Sequence, residues 1–339
     1  MKEWRIRPIE WEDISRYRNE LMGLAMLLIV LFHVPLDRFS PFFGLRRCGN
    51  IGVDIFFFLS GIGLWFSWTE TPSLKHFFAK RYLRIYPAWL IITSLYYIPD
   101  YIRGGGHSNS IPDLIGDIAL NLDFWLYDEL TFWYIPAIMM LYTFAPAYIS
   151  LIKCQPSYRW LALVFIIWCF MVQWIDPVHH VVGHIEIFWS RIPIFLIGIN
   201  VGQMIKEKQQ LSGSALWLIL LLFVLTLGAC IYLEQAKHGR FPLFIERMLY
   251  IPLTVCGVLL FSMLVRYARP WLLHPLSLIG TLSLEFYLIH AHFILPHIQQ
   301  LHVGYTATAL LTILTTWPCA WLLHQIAGRI EKLFKYYSQ

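Results

Sequence analysis

The feature that most constrains this chain is a series of long apolar runs. The 339 residues are 58% hydrophobic and only 14% charged, whereas soluble domains carry about 25% charged residues. Several runs approach or exceed the roughly 18–20 residues that cross a bilayer. Because lipid offers no partner to backbone N–H and C=O groups, such runs must form helices or closed barrels. They lack the alternation of a strand, so they predict an all-α, polytopic membrane helix bundle.

Ten membrane spans are predicted, in a single membrane domain over residues 1–339. Residues 1–20 are predicted to be a cytoplasmic segment, 21–327 the helix bundle and 328–339 a cytoplasmic tail. The predicted spans are 21–36, 50–68, 85–102, 130–152, 159–176, 190–206, 214–233, 246–266, 278–297 and 304–327.

The distribution of Lys and Arg predicts the orientation of the spans. With the N-terminus in the cytoplasm, ten spans place 18 of the 26 basic residues on the cytoplasmic side and 8 on the other. Both termini are therefore predicted to be cytoplasmic. The same bias accounts for the net charge of +5, so membrane lipids are expected partners and nucleic acid is not.

Two ionisable residues stand out in the first two predicted spans. His33 lies near the outer end of the first span and Asp54 near the outer start of the second, so we expect them at similar depth. A carboxylate beside an imidazole fixes its tautomer and holds it as a base. The alternative is a buried His33 bonded to a backbone carbonyl, with Asp54 capping its helix.

A basic amphipathic segment, "KHFFAKRYLRIYP" at 75–87, leads into the third span. Lys80, Arg81 and Arg84 fall on one side of a helix. Arginine forms bidentate, permanently charged contacts with phosphate oxygens, so one hypothesis is a phosphate clamp. The alternative is an ordinary cytoplasmic anchor on anionic lipid.

Near the C-terminus, "TLSLEFYLIHAHFI" at 281–294 places Glu285, Tyr287 and His290 in an apolar run. These three residues are candidates to line the substrate path. The alternative is that they form hydrogen bonds between helices and stabilise the bundle.

Two other segments carry weaker signals. Trp133 in "FWYIPAIMMLY" at 132–142 is a candidate substrate-lining residue, although Trp133 and Tyr134 are also typical of an interfacial aromatic belt. The segment "HHVVGH" holds His179, His180 and His184. Closely spaced histidines can bind metal, but an exposed polar loop is the favoured interpretation and no metal is predicted.

In their order and setting, several of these segments resemble the acyltransferase-3 family of integral membrane O-acyltransferases. The resemblance rests on "NELMGLAMLLIVLFH" (19–33), "GVDIFFFLSG" (52–61), "KRYLRIYP" (80–87), "WYIPAIMMLY" (133–142), "RIPIFLIGINVG" (191–202) and "SLEFYLIH" (283–290). It covers most of the chain, as a single membrane domain without a fused hydrolase domain.

The resemblance implies an O-acetyltransferase-type enzyme. His33 then matches the catalytic histidine, Asp54 the aspartate of the second span, and Arg81 and Arg84 the basic motif of the third. The donor would be cytoplasmic acyl-CoA, commonly acetyl-CoA, used as a co-substrate with no tightly bound cofactor. The acceptor would be a hydroxyl of an extracytoplasmic or lipid-linked glycan, and the location the bacterial inner membrane. Ser60, Trp133 and Tyr287 are candidate oxyanion donors.

One position departs from the family's pattern. Members usually carry an arginine eleven residues before the histidine, where this chain has Met22, and Arg18 lies one turn earlier. A different class also stays open at this point. A proton-coupled transporter or flippase of a glycan or lipid intermediate would also use intramembrane His, Asp and Glu.

Overall fold

The computed structural model describes residues 8–237 and 241–337, without the side chains of 335–337. The chain divides into two compact units. The first unit comprises residues 1–66, 159–166 and 190–281, and the second comprises 67–158, 167–189 and 282–339. The predicted all-α bundle is confirmed, since the described strands are one antiparallel pair, β1 (Ile9–Glu10) and β2 (Gln210–Leu211).

The helices follow one another with short breaks. In chain order they are α1 Glu12–Arg16, α2 Arg18–His33, α3 Phe43–Arg47, α4 Ile51–Glu70, α5 Leu74–Ile102, α6 Ile111–Leu120, α7 Leu122–Tyr127, α8 Tyr134–Cys154, α9 Leu161–Trp174, α10 Asp176–Val182, α11 Glu186–Trp189, α12 Ile192–Lys206, α13 Gly213–Lys237, α14 Leu243–Val265, α15 Pro270–Thr281, α16 Ser283–Ile289, α17 Leu295–Gln299 and α18 Tyr305–Tyr337. Short 3₁₀ turns lie at Cys48–Asn50, Pro156–Trp160 and Gly183–Ile185, and His290–Ile294 is a π-helical turn.

The core of the first unit is built around α4. Every residue from Ile51 to Ile62 is buried, because apolar side chains surround this helix on all sides. Helix α12 crosses α4 where two glycines face each other. A Cβ on Gly61 would overlap the carbonyl oxygen of Phe195, and a Cβ on Gly198 would overlap that of Phe58. Small residues therefore allow the two backbones to touch, as is common between membrane helices.

A second glycine pair joins α2 to α15. A Cβ on Gly23 would overlap the carbonyl oxygen of Leu276, and a Cβ on Gly280 would overlap that of Asn19. The two helices are in backbone contact at these points, so neither position accommodates a larger residue without moving a helix.

The register between α2 and the segment leading into α4 follows from two further glycines. Gly49 lies against Leu28, and Gly52 lies against Ala25. The two segments are therefore antiparallel, and each step of three residues along one matches three residues back along the other. This register places His33 at the level of Gly44 and Asp54 at the level of Gly23.

In the second unit, α5 and α18 form a long packed pair, and α16 lies against both. Aromatic side chains fill the contact between α5 and the start of α8. Phe132 is buried, and its ring meets Trp89 edge-on at 6.0 Å and Tyr96 at 5.3 Å. His292, in the π-helical turn, stacks on Phe132 with ring centroids 4.5 Å apart. Single π-helical turns often occur at functional sites.

The predicted number of spans is matched only in part. Within the described residues, six helices are long and apolar enough to cross a bilayer, or eight if each of two bent helix pairs is one span. The two bent pairs are 176–189 with 192–206 and 270–281 with 283–299. The first and third predicted spans correspond to α2 and α5, which are not among these candidates. Helix α2 has only 16 residues, and α5 carries charges and two internal prolines. The count of ten stays a prediction.

Substitution of Gly23 or Gly280 by alanine is expected to destabilise the protein by about 1–3 kcal/mol, the range for overpacking a filled core. The reason is that the added Cβ overlaps a carbonyl oxygen of the partner helix. Thermal unfolding of the detergent-purified protein measures the effect.

The matched control is Gly228→Ala on α13, where a Cβ meets nothing within 4 Å. It should be neutral or slightly stabilising, since alanine favours a helix over glycine. Equal melting temperatures for Gly23→Ala and Gly228→Ala would contradict the close packing of α2 and α15.

Candidate active site

His33 is the last residue of α2, and its side chain is exposed. Its Nδ1 lies 2.9 Å from the carbonyl oxygen of Ile29, one turn earlier. A carbonyl can only accept a hydrogen bond, so Nδ1 carries the hydrogen in the neutral ring. Nε2 then presents its lone pair, which is the form a general base requires.

Two arginines accompany His33. Arg46 and Arg47 lie close enough for their charges to act on the imidazole. Arg46 donates to the carbonyl of Val34 at 2.9 Å, and the guanidinium of Arg47 lies 4.8 Å from the ring centroid of Phe32. Arg47 also pairs with Glu234 at 3.0 Å. The imidazole of His33 therefore lies in a positively charged environment, which the sequence analysis did not predict.

Asp54 is fully buried, and its described partner is Arg191. Nη1 of Arg191 donates to Oδ2 of Asp54 at 2.6 Å, and both side chains are 0% exposed. The predicted contact between Asp54 and His33 does not form, because Oδ2 of Asp54 accepts from Arg191 and Oδ1 has no hydrogen-bond partner among the described residues. A catalytic role of Asp54 stays a prediction.

The depth of Asp54 explains why the predicted contact does not form. The second span was expected to begin at residue 50, but its helical segment begins at Phe43, so Asp54 lies eleven residues inside it. In the register of α2 with this segment, His33 lies at the level of Gly44, and Asp54, ten residues later, is about 15 Å farther along the axis. Ser60 is buried about 9 Å beyond Asp54 on the same helix, so the structure does not bring it to His33.

The basic motif lies near the start of α5, in the second unit. Lys80 and Arg84 are exposed, and Arg81 is half-buried with its guanidinium 5.3 Å from the ring centroid of Phe77. The three residues share one helix side, as predicted. They present a cationic surface that fits either a phosphate group or an anionic headgroup.

Helix α16 and the π-helical turn that follows it carry the next three predicted residues. Glu285 is buried, and its Oε1 lies 2.8 Å from Nδ1 of His324 on α18. The backbone N–H of Tyr134 donates to the hydroxyl of Tyr287 at 3.2 Å. His290 is fully buried, with Nδ1 2.8 Å from the carbonyl of Phe286. Glu285 and Tyr287 thus connect helices, as the bundle-stabilising alternative supposed, and the substrate-lining hypothesis stays a prediction.

Trp133 directly precedes α8 and is half-buried. Its ring centroid is 6.3 Å from Phe124 and 6.4 Å from Tyr134. These contacts agree with the aromatic-belt alternative, and its proposed role at the substrate path is untested.

The histidine segment is tied to the backbone. Nδ1 of His179 lies 3.1 Å from the carbonyl of Val172, and Nε2 of His184 lies 2.9 Å from that of Trp125. In each of these two histidines, one ring nitrogen is therefore within hydrogen-bond distance of a carbonyl oxygen and does not face a common metal ion.

Three carboxylates meet in α6 and α7. Asp113, Asp117 and Asp123 have carboxylate oxygens within 4.8 Å of one another, the closest such group in the part of the chain that is described. Ser108 donates to Asp117 at 2.6 Å, and so does the backbone N–H of Asp123 at 3.1 Å. Burial, followed by the charges of Asp117 and Asp113, raises the pKa of Asp123 to about 6.

A cavity of about 130 Å³ lies in the second unit, between α5, α6 and α8. Its lining is mainly aromatic and aliphatic and includes Tyr82, Tyr86, Trp89, Trp125 and Met139. Such a lining suits an apolar group better than a phosphate.

Sequence reasoning missed the importance of Arg191 and His324. Arg191 had a readable signal, because an arginine inside an apolar run needs a partner, but its partner lies 137 residues away. His324 pairs with Glu285 across 39 residues. Neither partner can be found from spacing along one helix.

The family can now be assigned. The model of a family described as an acyltransferase domain matches residues 21–324. The chain belongs to the acyltransferase-3 family and is a multi-pass membrane acyltransferase. Among curated proteins and solved structures, none matches it.

The raised pKa of Asp123 predicts a pH effect on stability. A folded-state pKa of about 6 lies above the ordinary value of 3.8, so folding favours the protonated carboxyl. Its stabilising contribution is complete below about pH 4 and is lost as the pH rises through about 6. Between pH 5 and pH 7.5, the melting temperature of the wild type should therefore fall more than that of Asp123→Asn.

The exposed Asp176 provides the control. Asp176→Asn should keep the pH dependence of the wild type. Parallel curves for wild type and Asp123→Asn would show that the carboxyl group of Asp123 does not titrate in this range.

Proposed function

We propose that the protein transfers an acyl group, acetyl in the simplest case, from cytoplasmic acyl-CoA to a hydroxyl of an extracytoplasmic or lipid-linked glycan. The observation that supports this proposal most directly is the tautomer that the hydrogen bond of His33 favours. Its Nδ1 faces a carbonyl oxygen, so the neutral ring carries its hydrogen on Nδ1 and its basic lone pair on Nε2, in a chain of an acyltransferase family. The bacterial inner membrane is the proposed location.

In the proposed reaction, Nε2 of His33 takes the proton of the acceptor hydroxyl. The hydroxyl oxygen attacks the thioester carbonyl carbon, and a new C–O bond forms. Collapse of the tetrahedral intermediate breaks the C–S bond, and the proton passes to the departing CoA sulfur. General-base help of this kind is worth about 10²–10⁴ in rate.

The tetrahedral intermediate carries a negative oxygen that needs stabilisation. Arg46 and Arg47 supply positive charge beside His33, so they are the groups proposed to stabilise this oxygen. Fixed charges in a water-poor site are the strongest means of lowering such a barrier.

The donor's phosphates are assigned to Lys80, Arg81 and Arg84. Support comes from the exposure of Lys80 and Arg84 and from the basic side that the three share at the start of α5. Asp54 is assigned a positioning role, since it holds Arg191 and not the imidazole.

A transporter or flippase of a glycan or lipid intermediate is the second candidate. The two bent helix pairs favour it, because transporters often bind their substrates at interrupted spans. Acyl transfer by the purified protein, compared with uptake into sealed vesicles, separates the two functions.

Replacement of His33 by alanine or glutamine should lower acyl transfer at least a hundredfold, the lower end of the general-base effect. The measurement is transfer of label from radiolabelled acetyl-CoA by purified protein in vesicles. The melting temperature should change little, because His33 is an exposed helix-terminal residue.

His274→Ala is the matched control, since His274 is also exposed in an apolar helix. It should retain wild-type transfer. Near-normal transfer by His33→Ala would rule out His33 as the base.

Arg81→Ala and Arg84→Ala should raise the KM for acetyl-CoA by about tenfold each, as expected for loss of a charge-assisted hydrogen bond. The KM of the wild type should rise with salt more steeply than that of the variants, because screening weakens phosphate contacts. Steady-state kinetics at two salt concentrations measures both effects.

Arg103→Ala, at the other end of α5, is the control and should leave the KM unchanged. The phosphate clamp is wrong if both variants bind acetyl-CoA as tightly as the wild type does.

A further inference from the structure

The first unit contains a buried polar site whose hydrogen-bonding capacity is only partly used. Arg191 spends Nη1 on Asp54, but its Nε and Nη2 have no partner within the described part of the protein. The second oxygen of Asp54, Oδ1, is likewise unmatched among the described residues. Both side chains are 0% exposed, so bulk water does not serve these atoms.

Helix α14 completes the site. The guanidinium of Arg191 lies 5.9 Å from the ring centroid of Tyr250. Thr254 follows one turn later on the same helix face. Its hydroxyl is fully buried, and no acceptor or donor in the described residues reaches it.

The hydroxyl of Thr254 contrasts with other threonines of this chain. Thr93, Thr226 and Thr312 each donate to the carbonyl four residues earlier, at 2.9, 2.6 and 2.7 Å. A threonine in a membrane helix normally satisfies its hydroxyl in this way. The hydroxyl of Thr254 has no such partner among the described residues, and Thr254 lies one helical turn from Tyr250, the residue that Arg191 contacts.

The site lies deep in the bundle. Asp54 and Thr254 are each eleven residues inside a span, the first counted from Phe43 and the second from Leu243. That distance is about 16 Å along the helix, or roughly half of the hydrocarbon thickness. Unmatched polar atoms are expensive at that depth, so a polar guest is expected there.

The unused groups define the chemistry of the guest. It must accept from two guanidinium N–H groups and donate to one carboxylate oxygen, and the threonine hydroxyl can do either. The charges of Asp54 and Arg191 already offset each other, so an anion would meet the carboxylate and a cation the guanidinium. A neutral amide, with one carbonyl and one N–H, satisfies these requirements.

We propose that Arg191, Asp54 and Thr254 form a binding site for an amide of the pantetheine arm of the acyl donor. This inference rests on the proposed use of acyl-CoA and adds a site in the first unit for the part of the donor that carries no phosphate. Arg191 and Thr254 are donor-binding residues in this account, separate from the base His33.

The test compares two probes, acetyl-CoA and S-acetylpantetheine, which shares the amides but lacks the phosphates. Thr254→Val removes the hydroxyl at nearly constant shape. Arg191→Lys keeps the charge for Asp54 but removes the Nε and Nη2 donors. Equilibrium binding to the purified full chain is measured, with thermal unfolding as the check on folding.

Thr254→Val should weaken binding of both probes by the same factor, about 2–12-fold, the net value of one hydrogen bond. Arg191→Lys should weaken both by about tenfold or more, since two donors are lost. Thr312→Val is the matched control, because Thr312 is equally buried but its hydroxyl is committed to Thr308. It should bind both probes as the wild type does.

Three other results would each overturn the inference. If Thr254→Val binds both probes normally, the guest is ordered water and not the donor. If that variant loses affinity for acetyl-CoA alone, the contact is with the nucleotide part. If the wild type binds neither probe, the proposed acyl-CoA-dependent function fails together with this site. Normal donor binding by the wild type and Thr254→Val alike leaves the proposed function intact.

Discussion

The buried pair of Asp54 and Arg191 is the interaction on which the first unit depends. It joins α4, which is buried over most of its length, to the residue that directly precedes α12. Removing one partner of such a pair typically destabilises a protein by about 3–5 kcal/mol, because the other charge is left alone in a medium of low polarity. The two glycine contacts between α4 and α12 hold the same helices at backbone distance, so the pair is fixed in place and its remaining donors have a defined direction.

The structure separates His33 from Asp54, the two residues that the sequence analysis expected to act together. His33, at the end of α2, is held by its own helix and lies among Arg46 and Arg47. Asp54 lies about three turns farther along the bundle axis and pairs with Arg191. In the proposed function, a base at the end of α2 and a separate polar site farther along the first unit suit two substrates that differ in polarity. The base would act on a hydroxyl, and the polar site would bind an uncharged part of the donor.

The sequence predicted the class of fold well, because membrane helices are encoded by local composition. It also placed the basic motif of Lys80, Arg81 and Arg84 correctly on one helix side, since that requires only helical periodicity. It failed on the partner of Asp54. The segment 37–50 was read as a loop, but its second half is helical and extends the span, so Asp54 moves inward. A few residues at a helix start decide which side chains meet.

Contacts between residues far apart in the sequence could not be predicted either. Arg191 was visible as a charge in an apolar run, yet nothing in the sequence names Asp54 as its partner. The pairing of Glu285 with His324 and the hydroxyl of Tyr287 at the backbone of Tyr134 depend on how three helices pack. Tertiary packing, and not helical periodicity, determines these contacts.

The central claim is that one imidazole acts as the base of a membrane acyl transfer. The most direct measurement is the rate at which purified protein in vesicles transfers label from radiolabelled acetyl-CoA, as a function of pH, for the wild type and for His33→Gln. The account predicts a rate that depends on one basic group in the wild type and a residual, pH-insensitive rate in the variant. Equal rates and equal pH profiles for the two proteins would contradict it.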